Sequence, residues 1–255
     1  MIRTNQHDES HDPQILRVVS YNIHKGVQGL GPARRLEIHN LGHAVEQLDA
    51  DIVCLQEVRK MNRREASYFE RWPEVPQAEY LAPEGYEAVY LTNAYTRDGE
   101  HGNALLSRWP VVGYQREDIS DHRFEQRGLL HVELDIMGRR VHSIVVHLGL
   151  IHGSRLRQIQ QLQRFIEREV PPGAPLVVAG DFNDWGAQIK RTLAAYGLHE
   201  YDELSRVLTY PSRLPIAQLD HVYVRGLTPL SLSVPKGRIW WRMSDHLPLI
   251  AEFKL

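Results

Sequence analysis

Several apolar runs in this chain end on, or open just after, a side chain able to bind a cation or move a proton. "VVSYN" ends at Asn22, "IVCLQE" at Glu57, "SIVVH" at His147, and "LVVAGDFN" at Asp181 and Asn183. "RMSDHLP" places Asp245 and His246 just before the last such run. Carboxylates are hard oxygen ligands, and an asparagine offers a carbonyl oxygen and N–H donors. Glu57 and Asp181, with Asn22 and Asn183, therefore suit Mg²⁺, which takes few protein ligands and keeps water and phosphate oxygens in its shell. They do not suit structural zinc, because the chain has one cysteine and no His/Cys spacing to match. An imidazole titrates near neutral pH and can exchange protons during turnover. Singly, each residue has a plainer reading: Asn22 and "GDFND" as turn residues, Glu57 as a solvated strand end, His147 as a satisfied core histidine, Asp245–His246 as a surface turn. It is the ordered set that points to a site.

Such side chains need a rigid frame, and sites usually lie on loops at the ends of regular elements. "ILRVVSYNI" (15–23) alternates and is rich in β-branched residues, so it reads as a strand. "DIVCLQE" (51–57) and "PLVVAGD" (175–181) read as short buried strands. Side chains two apart on an extended segment point the same way, so Asp181 and Asn183 can address one ligand. "YEAVYL", "NALLS", "PVVGYQ", "GLLHVELDI" and "RRVHSIVVHL" follow one another with turn residues between them, and "DIMGRRV" reads as a hairpin joining the last two. "LDHVYV" (219–224), "LTPLSLSV" (227–234) and "LPLIAEFKL" (247–255) are strand-like. Helical spacing predicts amphipathic helices over 33–48 and 155–169, with Arg34 and Arg35 on a solvated helix face. Residues 58–80 are charged, aromatic and proline-punctuated, and predict an irregular or partly helical excursion. Many strands and few helices argue for α/β layering with mixed or antiparallel sheets. Residues 1–13 read as a disordered tail, and the absence of a linker or repeat makes 14–255 one domain.

The 255 residues are 42% hydrophobic and 24% charged, ordinary for a packed globular chain. A net charge of -2 gives no global pull toward nucleic acid or anionic lipid, though it leaves room for a local basic groove. Cys54 has no intramolecular partner and sits in the apolar "DIVCL", as a buried inert thiol would. The start of the sequence lacks the apolar core of a secretory signal, and no apolar run is long enough to span a bilayer. A cytoplasmic monomer with no stable protein partner is the expectation.

"SYNIHKG", "LQEV", "GNALLSR", "VHLG", "GDFND", "LDHV" and "SDHLP" together resemble the ordered motifs of the endonuclease/exonuclease/phosphatase superfamily, over about residues 16 to 255. That resemblance implies a four-layer α/β sandwich: two mainly antiparallel β-sheets face to face, helices outside, and the site at one end of the sheets. It also implies hydrolysis of phosphoesters with Mg²⁺ or Mn²⁺. By motif, Glu57 is the principal metal ligand and Asn22 its neighbour, with Asp245 beside the metal or water. Asp181 and Asn183 hold the attacking water and phosphoryl oxygens. His147 acts on the phosphate, and His246 is a second essential histidine oriented by Asp220. Asn103 of "GNALLSR" is expected on the substrate side. His24 and His147 stand where abasic-site endonucleases tend to carry aspartate and tyrosine, which points toward the deoxyribonuclease I and sphingomyelinase side.

Two segments bear on the substrate. "KGRIWWRMSDH" (236–246) interleaves Arg238 and Arg242 with Trp240 and Trp241 just before His246, a pattern that grips phosphates and stacks on bases or sits at a lipid interface. One tryptophan in the core with solvated arginines is the plainer reading. "VRKMNRREASYFERW" (58–72) is either an arginine-lined groove or a solvated helix face. A phosphodiester in nucleic acid or phospholipid is the expected substrate. A small phosphorylated metabolite, or a non-catalytic binding module of the same fold, is the alternative.

Overall fold

The computed structural model describes residues 14–186, 188–201 and 207–255, so the expected tail over 1–13 lies outside the described residues. In chain order the elements are β1 (Ile15–Asn22), β2 (Val27–Gln28), β3 (Arg35–Leu36), α1 (Ile38–Leu48), β4 (Ile52–Val58), α2 (Arg63–Tyr68) and α3 (Gln77–Leu81). Then come β5 (Glu87–Thr96), β6 (Gly99–Ser107), β7 (Val111–Asp118), β8 (Gly128–Ile136), β9 (Arg139–His147) and α4 (His152–Glu169). The last are β10 (Leu176–Asp181), α5 (Gln188–Ala194), β11 (Asp220–Arg225), β12 (Thr228–Ser233), α6 (Trp240–Met243) and β13 (Leu249–Lys254).

Strand periodicity sorts the apolar residues into three layers. In β1, Leu16 and Val18 face one way and Val19 and Tyr21 the other. The first pair joins Ile52, Cys54 and Leu105 of its own sheet against Val132, Val145, Val177 and Val222 of a second, forming the central core. The second pair packs under Leu41 and Val45 of α1, Leu81 of α3 and Trp240 of α6. The far face of the second sheet, with Ile144, Val178 and Tyr223, is covered by Leu162 and Phe165 of α4 and Ile189 of α5. The result is the helix–sheet–sheet–helix sandwich. One sheet runs β12-β13-β1-β4-β6-β5 and the other β11-β10-β9-β8-β7. All pairs in both are antiparallel except β1 with β4 and β9 with β10.

The hairpin expected at "DIMGRRV" joins β8 to β9, with Met137 and Gly138 at φ 55° and 79°. Two positive φ values at the central pair suit the twist of the flanking strands. The helix expected from residue 33 begins at Ile38, because residues 35–36 pair with 27–28 as a small ribbon. Arg34 is therefore on no helix. It holds Glu65 at 2.8 Å and lies over the ring of Tyr68 at 4.7 Å. Arg59 meets the same Glu65 at 3.6 Å, so the excursion over 58–80 is fastened by buried charge pairing and contains α2 and α3. Cys54 is buried in the central core, which pushes its thiol up to about 12.

Candidate functional site

The two parallel pairs carry the site. Across the second sheet, His147 of β9 pairs in register with Asp181 of β10, and Asp181 with Asp220 of β11. These three residues form one row across three strands. Each continues the inward-facing alternation of its strand, after Val145, after Val177 and Ala179, and before Val222. The chain enters Asp181 through Gly180, whose φ is 154°. A Cβ there would fall 1.9 Å from the Val146 carbonyl oxygen, so only glycine lets β9 and β10 close at this row.

In the facing sheet, Asn22 ends β1 beside Gln56 of β4. The register of β4 with β6 shifts between Leu55 and Val58, where two residues oppose the single Asn103. Glu57 occupies this bulge at φ 56°, a left-handed conformation costing a non-glycine residue about 1–3 kcal/mol. The bulge breaks the alternation that would put Glu57 on the helix-covered face with Val53 and Leu55.

Across the gap, Oδ2 of Asp181 accepts a hydrogen bond from Nδ2 of Asn22 at 3.1 Å. The Nε2 atoms of His147 and His246 each lie 3.6 Å from the same oxygen. His246 turns its Nδ1 to Oδ2 of Asp220 at 2.8 Å, so the carboxylate fixes the ring and leaves Nε2 facing the row. Ser244 Oγ donates to the Asn22 backbone oxygen at 2.6 Å, tying the His246 segment to the end of β1. Asp245 bonds Nδ1 of His24 at 2.9 Å, and the Lys25 ammonium lies 2.8 Å from Oε2 of Glu57. Asn183, at φ 49°, donates from Nδ2 to the Leu148 carbonyl and from its backbone N–H to Oδ1 of Asp181.

The two histidines are driven apart electrostatically. Burial pulls both down. For His147 burial prevails, with Arg127 adding to it, and the ring falls to about 4. For His246 the carboxylates of Asp220 and Asp181 overcome burial and push it up to about 10. At neutral pH one imidazole is therefore neutral and the other charged. Burial also opposes ionisation of Glu57, but the His147 ring and the Lys25 ammonium, with His24 beyond them, hold its carboxyl well below the usual range. Oε2 of Glu57 is buried, and its close partner is the Lys25 ammonium at 2.8 Å. A buried, ionised carboxylate oxygen of this kind beside Asn22 fits a divalent cation that prefers hard oxygen donors. A second cluster, His131, Glu133 and His142, lies mid-strand under α4. Its rings are joined at 2.9 Å, and the Gln115 amide, itself donating to Glu169, sits 3.3 Å from the His131 ring. The cluster is a hydrogen-bonded chain apart from the strand ends.

Asn22, Glu57, His147, Asp181, Asn183, Asp220, Asp245 and His246 thus come together. Asn103, expected on the substrate side, lies instead between the sheets with no exposed surface. Its Nδ2 donates to the backbone oxygens of Gly128 and Val145, and so ties one sheet to the other. Arg238 and Arg242 are exposed, Trp240 is buried and Trp241 is half-buried at the surface. Lys25, beside the His24 noted above, was not expected from sequence, nor was Arg127; Tyr210 lies in "TYPS" (209–212), which resembles a substrate-side loop. His24 and Lys25 sit in "NIHKG" right after Asn22, where their position was the available signal. Arg127 donates to the Leu148 carbonyl, and the Tyr210 ring lies 4.9 Å from that of His246; both reach the site from loops without periodicity.

This two-sheet sandwich, with carboxylate, amide and imidazole groups meeting at its strand ends, belongs to the endonuclease/exonuclease/phosphatase family, whose family model matches residues 19–246. It is similar to the uncharacterized protein YbhP of Escherichia coli, 36% identical over 246 residues, covering 94% of this chain and 96% of that one. Among solved structures it is similar to a mannosyl-6-phosphatase of Bacteroides thetaiotaomicron, with TM-score 0.71, 18% identity and coverage of 94% and 100%. It is also similar to D. rerio TDP2 complexed with a single strand DNA product, with TM-score 0.66, 17% identity and coverage of 94% and 99%.

Proposed function

We propose that this protein is a Mg²⁺- or Mn²⁺-dependent phosphodiester hydrolase. The observation that carries the reading is the meeting at Asp181 Oδ2 of Asn22, neutral His147 and charged His246. Glu57 and Asn22, with Asp245 close by, are the residues to hold the ion, which when bound neutralises charge on the phosphate and polarises its phosphoryl oxygen. The protein groups divide the remaining work. Asp181 accepts a hydrogen bond from the attacking water and aims it. Asn183 keeps Asp181 in place through its backbone N–H. His246, kept protonated by Asp220, faces the negative charge that grows on the phosphoryl oxygens. His147, neutral at physiological pH, donates or accepts a hydrogen bond without adding a charge. Arg238 and Arg242 contact the substrate beyond the scissile phosphate.

A chromogenic bis-phosphodiester and the matching monoester, each with Mg²⁺, Mn²⁺ or EDTA, test this. Metal-dependent cleavage of the diester, lost in His246→Ala, is the expected result. Cleavage of the monoester alone turns the reading to a phosphomonoesterase. Failure to cleave either overturns it and leaves a binding module.

A further inference from the structure

The most exposed apolar side chains gather at one end of this molecule. The six most exposed large hydrophobic residues among those described are Leu30, Phe124, Leu214, Tyr95, Leu150 and Ile216, at 68–88%. Strand direction places all of them at the site end. Leu30 lies between β2 and β3 in the connection from β1 to α1, Leu150 follows β9, and Leu214 and Ile216 precede β11. Phe124 lies between β7 and β8, whose Asp118 and Gly128 pair at that end, and Tyr95 is at the matching end of β5. Trp185, 59% exposed, follows Asn183 there as well.

Charge follows the same asymmetry. Arg123, Arg213, Lys236, Arg238 and Arg242 are exposed on three of these loops and have no ion-pair partner among the described residues. The segments 119–127, 207–219 and 234–248 hold carboxylates only at Asp121, Glu125 and Asp245, with Glu200, Asp202 and Glu203 earlier in the connection that leads to 207. Asp121, Glu125 and Asp245 are engaged by Arg157, Arg127 and His24. The chain as a whole carries -2, so this local cationic excess runs against the overall balance.

We propose that this rim docks the protein on an anionic phospholipid surface, which presents lipid-type phosphoesters to the strand-end site. The second half rests on the hydrolase reading; the docking does not. Leucine and isoleucine standing into solvent on separate loops have no use against a sugar-phosphate backbone. The headgroup–acyl boundary accepts such side chains, and unpaired Lys and Arg beside them are drawn to anionic lipid. No described helix is long and apolar enough to cross a membrane.

The experiment is co-sedimentation of the full chain with vesicles of phosphatidylcholine, or of equal parts phosphatidylcholine and phosphatidylglycerol, alongside hydrolysis of a soluble chromogenic diester. The expected result is binding to the mixed vesicles only. Phe124→Ser with Leu214→Ser should weaken it at least about tenfold while soluble-diester turnover is unchanged. Arg238→Glu with Arg242→Glu should weaken it by roughly fivefold or more per cation, with high salt acting in the same direction. An active protein that sediments with neither vesicle, or whose binding survives both double substitutions, overturns the proposal. Retention by DNA without vesicle binding reassigns the rim to nucleic acid. Vesicle binding without hydrolysis of any phosphoester upholds the docking and removes the hydrolase reading.

Discussion

Lys25 stands 2.8 Å from Oε2 of Glu57, so the carboxylate at the β4 bulge is neutralised by a cation supplied by the chain itself. Burial alone would favour the protonated acid. The electrostatic setting of the site is thus one in which this carboxyl is ionised and balanced by the Lys25 ammonium.

Glu57→Gln keeps the shape and removes that charge. Turnover at saturating Mg²⁺ should fall at least about a hundredfold, about 3 kcal/mol in the barrier, with the circular dichroism spectrum unchanged. Near wild-type turnover would remove Glu57 from the chemistry.

Asp220→Asn tests the orientation of His246. The carboxylate lies 2.8 Å from Nδ1 and is the main group pushing the ring up to about 10 against burial. Without it the imidazolium loses its proton at lower pH. The alkaline limb of the pH–rate profile should move toward neutrality, and the maximal rate should drop. An unmoved limb would mean that His246 does not work as a cation.

Gly180→Ala should be far more damaging than an ordinary strand Gly→Ala change. The new Cβ meets the Val146 carbonyl oxygen, and relief requires β9 and β10 to part where His147 and Asp181 pair. We expect loss of at least about 3 kcal/mol of stability, read by urea denaturation, and loss of activity in whatever fraction still folds.

His221, packed on the helix-covered face of β11 against Phe182 and Tyr223, gives a pH-dependent contribution to stability. Burial lowers its pKa, but Glu200, 3.0 Å from Nδ1, more than offsets this, so the folded ring sits above its unfolded value of 6.5. A raised folded pKa means that the stabilisation is complete below the unfolded pKa and is lost as pH rises through the folded one. Glu200→Gln should cost about 2 kcal/mol below pH 6.5, and the gap to wild type should narrow at alkaline pH. A gap that widens with pH would contradict the pairing.

The sequence made much of this legible because strands with one face on a core leave a period-two record. Strand ends therefore showed where Asn22, Glu57, His147 and Asp181 would stand. It could not show which strands pair, since the row through His147, Asp181 and Asp220 depends on register between distant segments. Nor could it show the β4 bulge, which forms opposite Asn103 of another strand, or the placing of Asn103 itself in the space between the sheets. The helix forecast from residue 33 failed for a related reason. Residues 35–36 have a ribbon partner in 27–28, and local spacing does not register a competitor.

The contact between Ser244 and Asn22 joins residues 222 positions apart, and β1 lies between β4 and β13 in its sheet. A chain that must close so large a loop pays its entropy before the contact is rewarded, and folds slowly as a result. The site then has no half-built form: until β13 docks on β1, His246 is not at Asp181. In refolding, catalytic power should return only in the last kinetic phase, together with burial of Trp240. A chain halted before β13 would carry most of the ligands and none of the reactivity. Late assembly would thus keep a phosphoester-cleaving group silent while the polypeptide is still being made.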